Sequence, residues 1–196
     1  MVLEQKRGVK MGKLVLVTGG ARSGKSTFAE NEVRKLNQKT AYIATGIAFD
    51  EAMKSRIEKH VMQRPSHWTT FEKPTQVHEI IEEVKKEHDV VLLDCITVLL
   101  TNTLFQDQID FDGIDEKTVD LTEERIQDDI KMMIDMFRQS DMTVYLVTNE
   151  VGSGIVPENR LARVFRDFAG RTNQYIASIA DEVYCVISGI PMKIKG

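Results

Sequence analysis

An α/β fold, with a mostly parallel sheet covered by helices on both faces, is predicted by three observations. The apolar run Leu14-Val15-Leu16-Val17 leads straight into the glycine-rich turn Gly19-Gly20-Ala21-Arg22-Ser23-Gly24-Lys25-Ser26, and helical periodicity follows it. Short apolar runs then alternate with helix-length periodic segments, the pattern of repeated strand-helix-strand units. One of those runs, Val90-Val91-Leu92-Leu93, is apolar throughout between Asp89 and Asp94, as a strand covered on both faces should be.

The turn reads G-x-x-x-x-G-K-S, and its position between a strand and a helix gives the pattern physical meaning. Glycines let the backbone curl until several N–H groups point inward, and the positive end of the next helix adds to the same anion site. Lys25 can reach the β- and γ-phosphate oxygens, and the Ser26 hydroxyl is placed to ligate Mg²⁺. A chance glycine turn would lack this context. The motif predicts a P-loop that binds a nucleoside triphosphate.

The remaining elements follow in order. The helix after the P-loop runs to about Leu36, and Thr40-Ala41-Tyr42-Ile43-Ala44-Thr45 reads as a second buried strand. Asp50 caps a predicted helix to about Gln63, which Pro65 stops. The stretch His67 to Glu72 is ambiguous between strand and loop. From Thr75, an amphipathic helix places Val77, Ile80, Ile81 and Val84 on one face. After the strand ending at Asp94, residues Ile96 to Phe105 read as helix. The segment from Gln106 to Asp120 is acidic and aperiodic. Its carboxylates suggest calcium, but an EF-hand register through Gly113 puts Gln108 first and Val119 last, where a glutamate is required. It therefore reads as a solvated, mobile loop. A helix from about Thr122 to Gln139 carries the core stripe Ile126, Ile130, Met133, Ile134 and Phe137. Strand Thr143 to Thr148, a loop from Asn149 to Pro157, a long helix from about Glu158 to Ala180, and strand Val183 to Ile187 follow. The tail Ile190 to Ile194 adds an edge strand.

The totals set the frame. A chain of 196 residues, 42% hydrophobic and 29% charged, suits one domain with a real core. Residues 1–12, with Lys6, Arg7 and Lys10, read as a flexible N-terminal extension, and residues 13–196 as a single nucleotide-binding domain. The net charge of −4 gives no basic stripe for nucleic acid. No run is long enough for stable membrane insertion, and the extension lacks the apolar core of a signal peptide. Cytoplasmic localisation is expected, with Cys95 and Cys185 as small buried residues of a reducing compartment.

In a parallel sheet, ligands sit beyond the carboxyl ends of the strands. The P-loop, Thr45, Asp94 and Glu150 are all expected there. Asp94 has two readings: a ligand of Mg²⁺ or nucleotide at the strand end, or a cap for the helix that follows. Glu150 reads equally as a base, a metal-shell residue or a loop carboxylate without a role. Arg160, Arg163, Arg166 and Arg171 either clamp phosphates bidentately or form a charged outer face or subunit contact. His78 and His88 read as solvated. Helical spacing sets His60 beside Arg56 and Arg64, where positive charge favours the neutral imidazole, although spacing alone makes it a surface histidine.

An ordered set of motifs resembles one family. It comprises Val17 through Ser26, Tyr42-Ile43-Ala44-Thr45, Arg56-Ile57 followed by His60 and Arg64-Pro65, His67-Trp68, Asp94-Cys95-Ile96-Thr97, Thr148-Asn149-Glu150-Val151-Gly152, and Gly154 through Arg160 and on to Arg171. From about Leu14 onward the chain resembles the bifunctional adenosylcobinamide kinases / adenosylcobinamide-phosphate guanylyltransferases of cobalamin biosynthesis. The resemblance implies a RecA-like P-loop fold and a homotrimer. It implies that adenosylcobinamide is phosphorylated with ATP or GTP, and that GMP is then transferred from GTP to adenosylcobinamide phosphate.

The resemblance also reverses the reading of His60, which becomes the nucleophile that attacks the α-phosphorus of GTP and carries GMP. An unperturbed imidazole, with a pKa of about 6.5, is mostly neutral at pH 7, as that role requires. Nucleotide contacts are implied at Gly19 to Ser26, at Ala44, Thr45 and Gly46, at Val61, Met62, Gln63 and Arg64, and at Glu72 and Asp94. The chain departs from the family pattern at Lys59, where a second histidine is frequent, and at Gln63, where a glycine often precedes Arg-Pro. Two other readings need no such histidine. One is a small-molecule P-loop kinase without guanylyl transfer, and the other a regulatory NTPase with the acidic segment as a partner site.

Overall fold

The computed structural model describes residues 11–48, 51, 64–106 and 113–196. The N-terminal residues 1–10, most of the predicted helix from Asp50 to Gln63, and the centre of the acidic segment lie outside the described residues. Among the described residues seven strands form one sheet: β1 (Lys13–Thr18), β2 (Thr40–Ala44), β3 (Thr69–Glu72), β4 (Val90–Asp94), β5 (Thr143–Val147), β6 (Glu182–Ile187) and β7 (Ile190–Lys195). Their order is β3-β2-β4-β5-β1-β6-β7. All neighbours pair parallel except the β6–β7 hairpin at the edge. Among the described residues five helices pack on this sheet: α1 (Lys25–Leu36), α2 (His78–Glu87), α3 (Ile96–Phe105), α4 (Glu116–Arg138) and α5 (Arg160–Ile179). With the P-loop between β1 and α1, and β5 standing between β1 and the strand ending in Asp94, this is the RecA-like P-loop architecture the sequence predicts.

Alternation along the strands divides the core into two layers. Leu14, Leu16, Ala41, Ile43, Val91 and Leu93 face α2, α3, α4 and α5. Val15, Val17, Tyr42, Val90 and Leu92 face the other way, against Ala29 and Val33 of α1. The central strands are buried on both sides, which explains why they read as continuous apolar runs rather than alternating ones.

Several expectations change at element ends. The fourth helix begins at Glu116, not near Thr122, because the Asp115 side chain accepts from Thr118 N at 2.8 Å and caps it. Composition made that turn look like loop; the acidic segment is shorter than it seemed. The second helix starts at His78 because Gln76 holds a left-handed φ of 51°, which interrupts the helix expected from Thr75. The ambiguous His67–Glu72 stretch resolves into β3, an edge strand that gains its hydrogen bonds from β2. His88 is not solvated as expected: it is half-buried, with Nδ1 3.0 Å from Val84 O and its ring edge-on to Phe71. His78 is half-buried as well.

The opposite end of the sheet is tied by charge. Lys13 Nζ donates to Glu182 Oε1 at 2.6 Å, and Arg138 and Leu14 N both donate to Asp181 Oδ2 at 2.7 Å. The bond from Lys13, with help from the Tyr184 hydroxyl, holds the Glu182 carboxyl down at about 2, against an ordinary 4.5. A depressed carboxyl contributes its stability above the unfolded value and loses it as pH falls through the folded one. Glu182→Gln is therefore expected to flatten the acid limb of stability between pH 4.5 and about 2. The effect is modest, because the pair is partly exposed. Urea midpoints at neutral pH and near pH 3 measure it; parallel losses in both proteins would rule it out.

Candidate nucleotide site

The phosphate cradle is built where β1 hands the chain to α1. Gly24 holds a φ of 92° to cap α1, and Gly19 passes so close to the next strand that a Cβ there would sit 2.4 Å from Val186 O. Both positions therefore need glycine. Ser23 N donates to Gly20 O at 3.2 Å, closing the loop on itself. Lys25 is buried, and its Nζ donates to Gly20 O at 3.1 Å, so its charge lies across the loop it serves. The turn between β6 and β7 braces the loop from outside: Gly189 N donates to Ser23 O at 2.8 Å. Nothing in the sequence pattern flagged that brace, since it joins segments far apart in the chain.

Strand register brings the other predicted residues to the same edge. Ala44 of β2 stands opposite both Glu72 of β3 and Asp94 of β4, and Asp94 stands opposite Val147 of β5, beside Val17 of β1. Gly46 and Glu72 are exposed there, while Asp94 is half-buried. Thr45 is fully buried, and its hydroxyl is already committed. It donates to Cys95 O at 2.9 Å and accepts from Cys95 N at 2.8 Å, tying the end of β2 to the end of β4. Thr45→Val should leave the buried Cys95 N–H unpaired, while Cys95 O keeps its bond from Leu99 N, and cost about 1–3 kcal/mol. A urea melt checks this, and an unchanged midpoint would mean Cys95 finds other partners.

Arg64 joins the site through Tyr42, its guanidinium carbon 3.5 Å from the ring centroid. His60, Val61, Met62 and Gln63 lie outside the described residues. Two groups to which the sequence assigned no role of their own sit among these: Tyr42, whose hydroxyl donates to Asp94 Oδ2 at 3.2 Å, and Glu30 of α1. Burial pushes the Glu30 carboxyl up, Arg34 pulls it down, Asp94 raises it further and Arg64 lowers it. A glutamate flanked by Ala29 and one turn from Val33, on the apolar stripe of α1, was the available signal. Burial also pushes the Cys95 thiol up to about 12, so it packs as an inert small residue.

The candidate arginines of α5 spend donors on the chain itself. Arg160 bonds Ile114 O and Glu116, Arg163 bonds Pro157 O and Glu158 O, and Arg171 pairs with Glu123. Glu150 Oε1 accepts from Gly152 N at 2.6 Å, while Glu150 N donates to Gly19 O at 3.0 Å. Its backbone therefore supports the P-loop.

Ser26 and Asp94 offer a hydroxyl and a carboxylate, the hard oxygen donors that Mg²⁺ selects. Among the described residues no group of three or more His, Cys, Asp or Glu could hold a metal unaided. The donor set fits a Mg²⁺ that completes its shell with waters and phosphate oxygens.

The model of the cobinamide kinase / cobinamide phosphate guanyltransferase family matches residues 15–194. The chain belongs to that family. The bifunctional adenosylcobalamin biosynthesis protein CobU of Escherichia coli (strain K12) is 47% identical over 182 residues, covering 93% of this chain and 99% of that protein. Its namesake in Salmonella typhimurium (strain LT2) is 46% identical over 189 residues, again 93% and 99%. Among solved structures, a crystal structure of the RadB recombinase aligns with a TM-score of 0.47 at 18% identity, covering 91% of this chain and 76% of that one. Among the described residues no helix is long and apolar enough to cross a membrane.

Proposed function

We propose that this chain phosphorylates the hydroxyl of adenosylcobinamide with ATP or GTP, and then transfers GMP from GTP to the product, giving adenosylcobinamide-GDP. One observation carries the reading: the family match extends over residues 15–194, from the P-loop strand to the end of the sheet. In the kinase step the substrate oxygen attacks the γ-phosphorus, the bond to the β-phosphate oxygen breaks, and the hydroxyl proton leaves to solvent. Lys25 and the inward N–H groups of Gly19 to Ser26 stabilise the charge on the phosphoryl group in flight. Ser26 and Asp94 would hold Mg²⁺, which when bound neutralises phosphate charge and orients the triphosphate.

In the second step the neutral imidazole of His60 attacks the α-phosphorus of GTP and pyrophosphate leaves. A phosphate oxygen of the cobinamide phosphate then takes the GMP as the P–N bond breaks, which returns the free imidazole. Dividing one displacement into two is the logic of covalent catalysis. Ala44 to Gly46, Val61 to Arg64 and Glu72 supply the remaining nucleotide contacts in this reading. A single P-loop unit spanning residues 13–196 would carry both steps, as a cytoplasmic homotrimer that does not engage nucleic acid.

Incubation with α-labelled GTP tests the proposal. An acid-labile, base-stable label should map to the peptide containing His60. Absence of label, or label on another peptide, would overturn the guanylyl half and leave a kinase.

A further inference from the structure

Tyr42 is a phenol in an apolar layer. It is 2% exposed, with Val15, Val17, Leu92 and Val33 in the same cluster. Leucine or phenylalanine would fill such a place without a polar atom to satisfy. Both polar features of this side chain are nevertheless used. Its hydroxyl reaches Asp94 Oδ2 at 3.2 Å, and its ring face carries the Arg64 guanidinium at 3.5 Å, well inside cation–π range.

The two groups it touches arrive from different parts of the chain. Asp94 ends β4, whereas Arg64 follows His60 by four positions and precedes β3. Arg64 Nε is buried and has no hydrogen-bond partner among the described residues. A bond at Nε therefore does not set the guanidinium's position, and the ring beneath it is the contact that can. Pairing of Tyr42 with Leu92 in the β2–β4 ladder fixes the ring's height in the sheet, two residues short of Asp94. The ring is thus anchored on a buried strand of the sheet, with one functional group held at each of its two chemical faces.

We propose that Tyr42 is a positioning residue for the nucleoside triphosphate, its hydroxyl fixing the Asp94 carboxylate and its ring fixing the Arg64 guanidinium. The inference rests on the reading of Asp94 and Arg64 as nucleotide and metal contacts. It adds the element that makes them one site. The two functions of the side chain are separable, because Tyr42→Phe removes only the hydroxyl and Tyr42→Leu removes both.

The test compares wild type, Tyr42→Phe and Tyr42→Leu. GTP affinity is measured by equilibrium dialysis in EDTA, and kinase rate is followed against Mg²⁺ concentration. Thermal melts confirm that each variant is folded. Tyr42→Phe is expected to keep its metal-free GTP affinity within about twofold of wild type, because the ring face remains. It should need about threefold to tenfold more Mg²⁺ for half-maximal rate, because the Asp94 carboxylate has lost its charge-assisted bond. Tyr42→Leu should show that Mg²⁺ shift and also lose about threefold to thirtyfold in metal-free affinity, the span of a cation–π contact.

Arg64→Gln removes the cation that the ring carries and should lose at least as much metal-free affinity as Tyr42→Leu. Tyr42→Met, which fills the same apolar place without a ring face, decides the ring's role if Tyr42→Leu does not fold. Equal affinity loss in the Phe and Leu variants would overturn the proposal. So would Mg²⁺ and GTP dependences that stay within twofold of wild type while only the melting temperature falls. Wild type that binds no GTP would instead remove the nucleotide reading itself.

Discussion

Replacing His60 with alanine is expected to abolish covalent labelling by α-labelled GTP and to lower guanylyl transfer on the order of 10⁴-fold or more, the scale seen when a nucleophile is removed. Phosphorylation of the cobinamide hydroxyl should keep much of its rate. The asymmetry follows from the chemistry. The kinase step moves a γ-phosphoryl group directly to the substrate oxygen and needs the cradle of Gly19 to Ser26, but no nucleophile from the protein. Guanylyl transfer in two displacements has no route without an atom that can carry GMP, and alanine offers no nitrogen to form a phosphoramidate. Rate assays of each half-reaction on the same preparation measure this. Label retained on the variant would remove His60 from the role, and a matching collapse of the kinase step would show that the substitution had disturbed the whole site.

Lys25→Ala should have the complementary effect, lowering the kinase rate by about 10² to 10³, or roughly 3–4 kcal/mol of transition-state stabilisation. The lysine is buried and lies over its own loop through Gly20 O. Its ammonium is therefore held over the cradle rather than out in solvent, where the proposed reading has it meet phosphoryl charge. In the proposed reading the same cradle holds the GTP that His60 attacks, so labelling should fall with it. The two variants thus differ in pattern: His60→Ala loses one activity and Lys25→Ala loses both. Steady-state kinetics with nucleotide binding measured alongside would resolve the pattern. A Lys25→Ala protein with wild-type kinase rate would remove the P-loop from the chemistry.

Much of this site is written locally. The P-loop is legible because a phosphate cradle needs consecutive N–H groups, two glycines and a lysine within one turn, all from adjacent residues. Asp94 is legible for the same reason: one charge ends an apolar strand, and a parallel sheet sends every such end to one edge. Tyr42 is different. Its residue type fits a strand as well as many others, and its importance lies in which groups β4 and the Arg64 segment bring to it. Thr45 is similar; a residue expected to touch nucleotide has its hydroxyl committed to the backbone of Cys95. The Gly189 brace and the packed His88 were invisible in the sequence because each depends on partners that only folding supplies.

The sequence by itself determined the fold class, the P-loop, the succession of the buried strands and the helices between them, and the family. Each rests on short-range periodicity, on turn chemistry or on residues in a fixed order. Only the tertiary structure decided the strand order, the edge strand β3 and the grouping of Tyr42, Asp94, Arg64 and Glu30. Those depend on register, and register is chosen by the burial of whole faces rather than by any one segment.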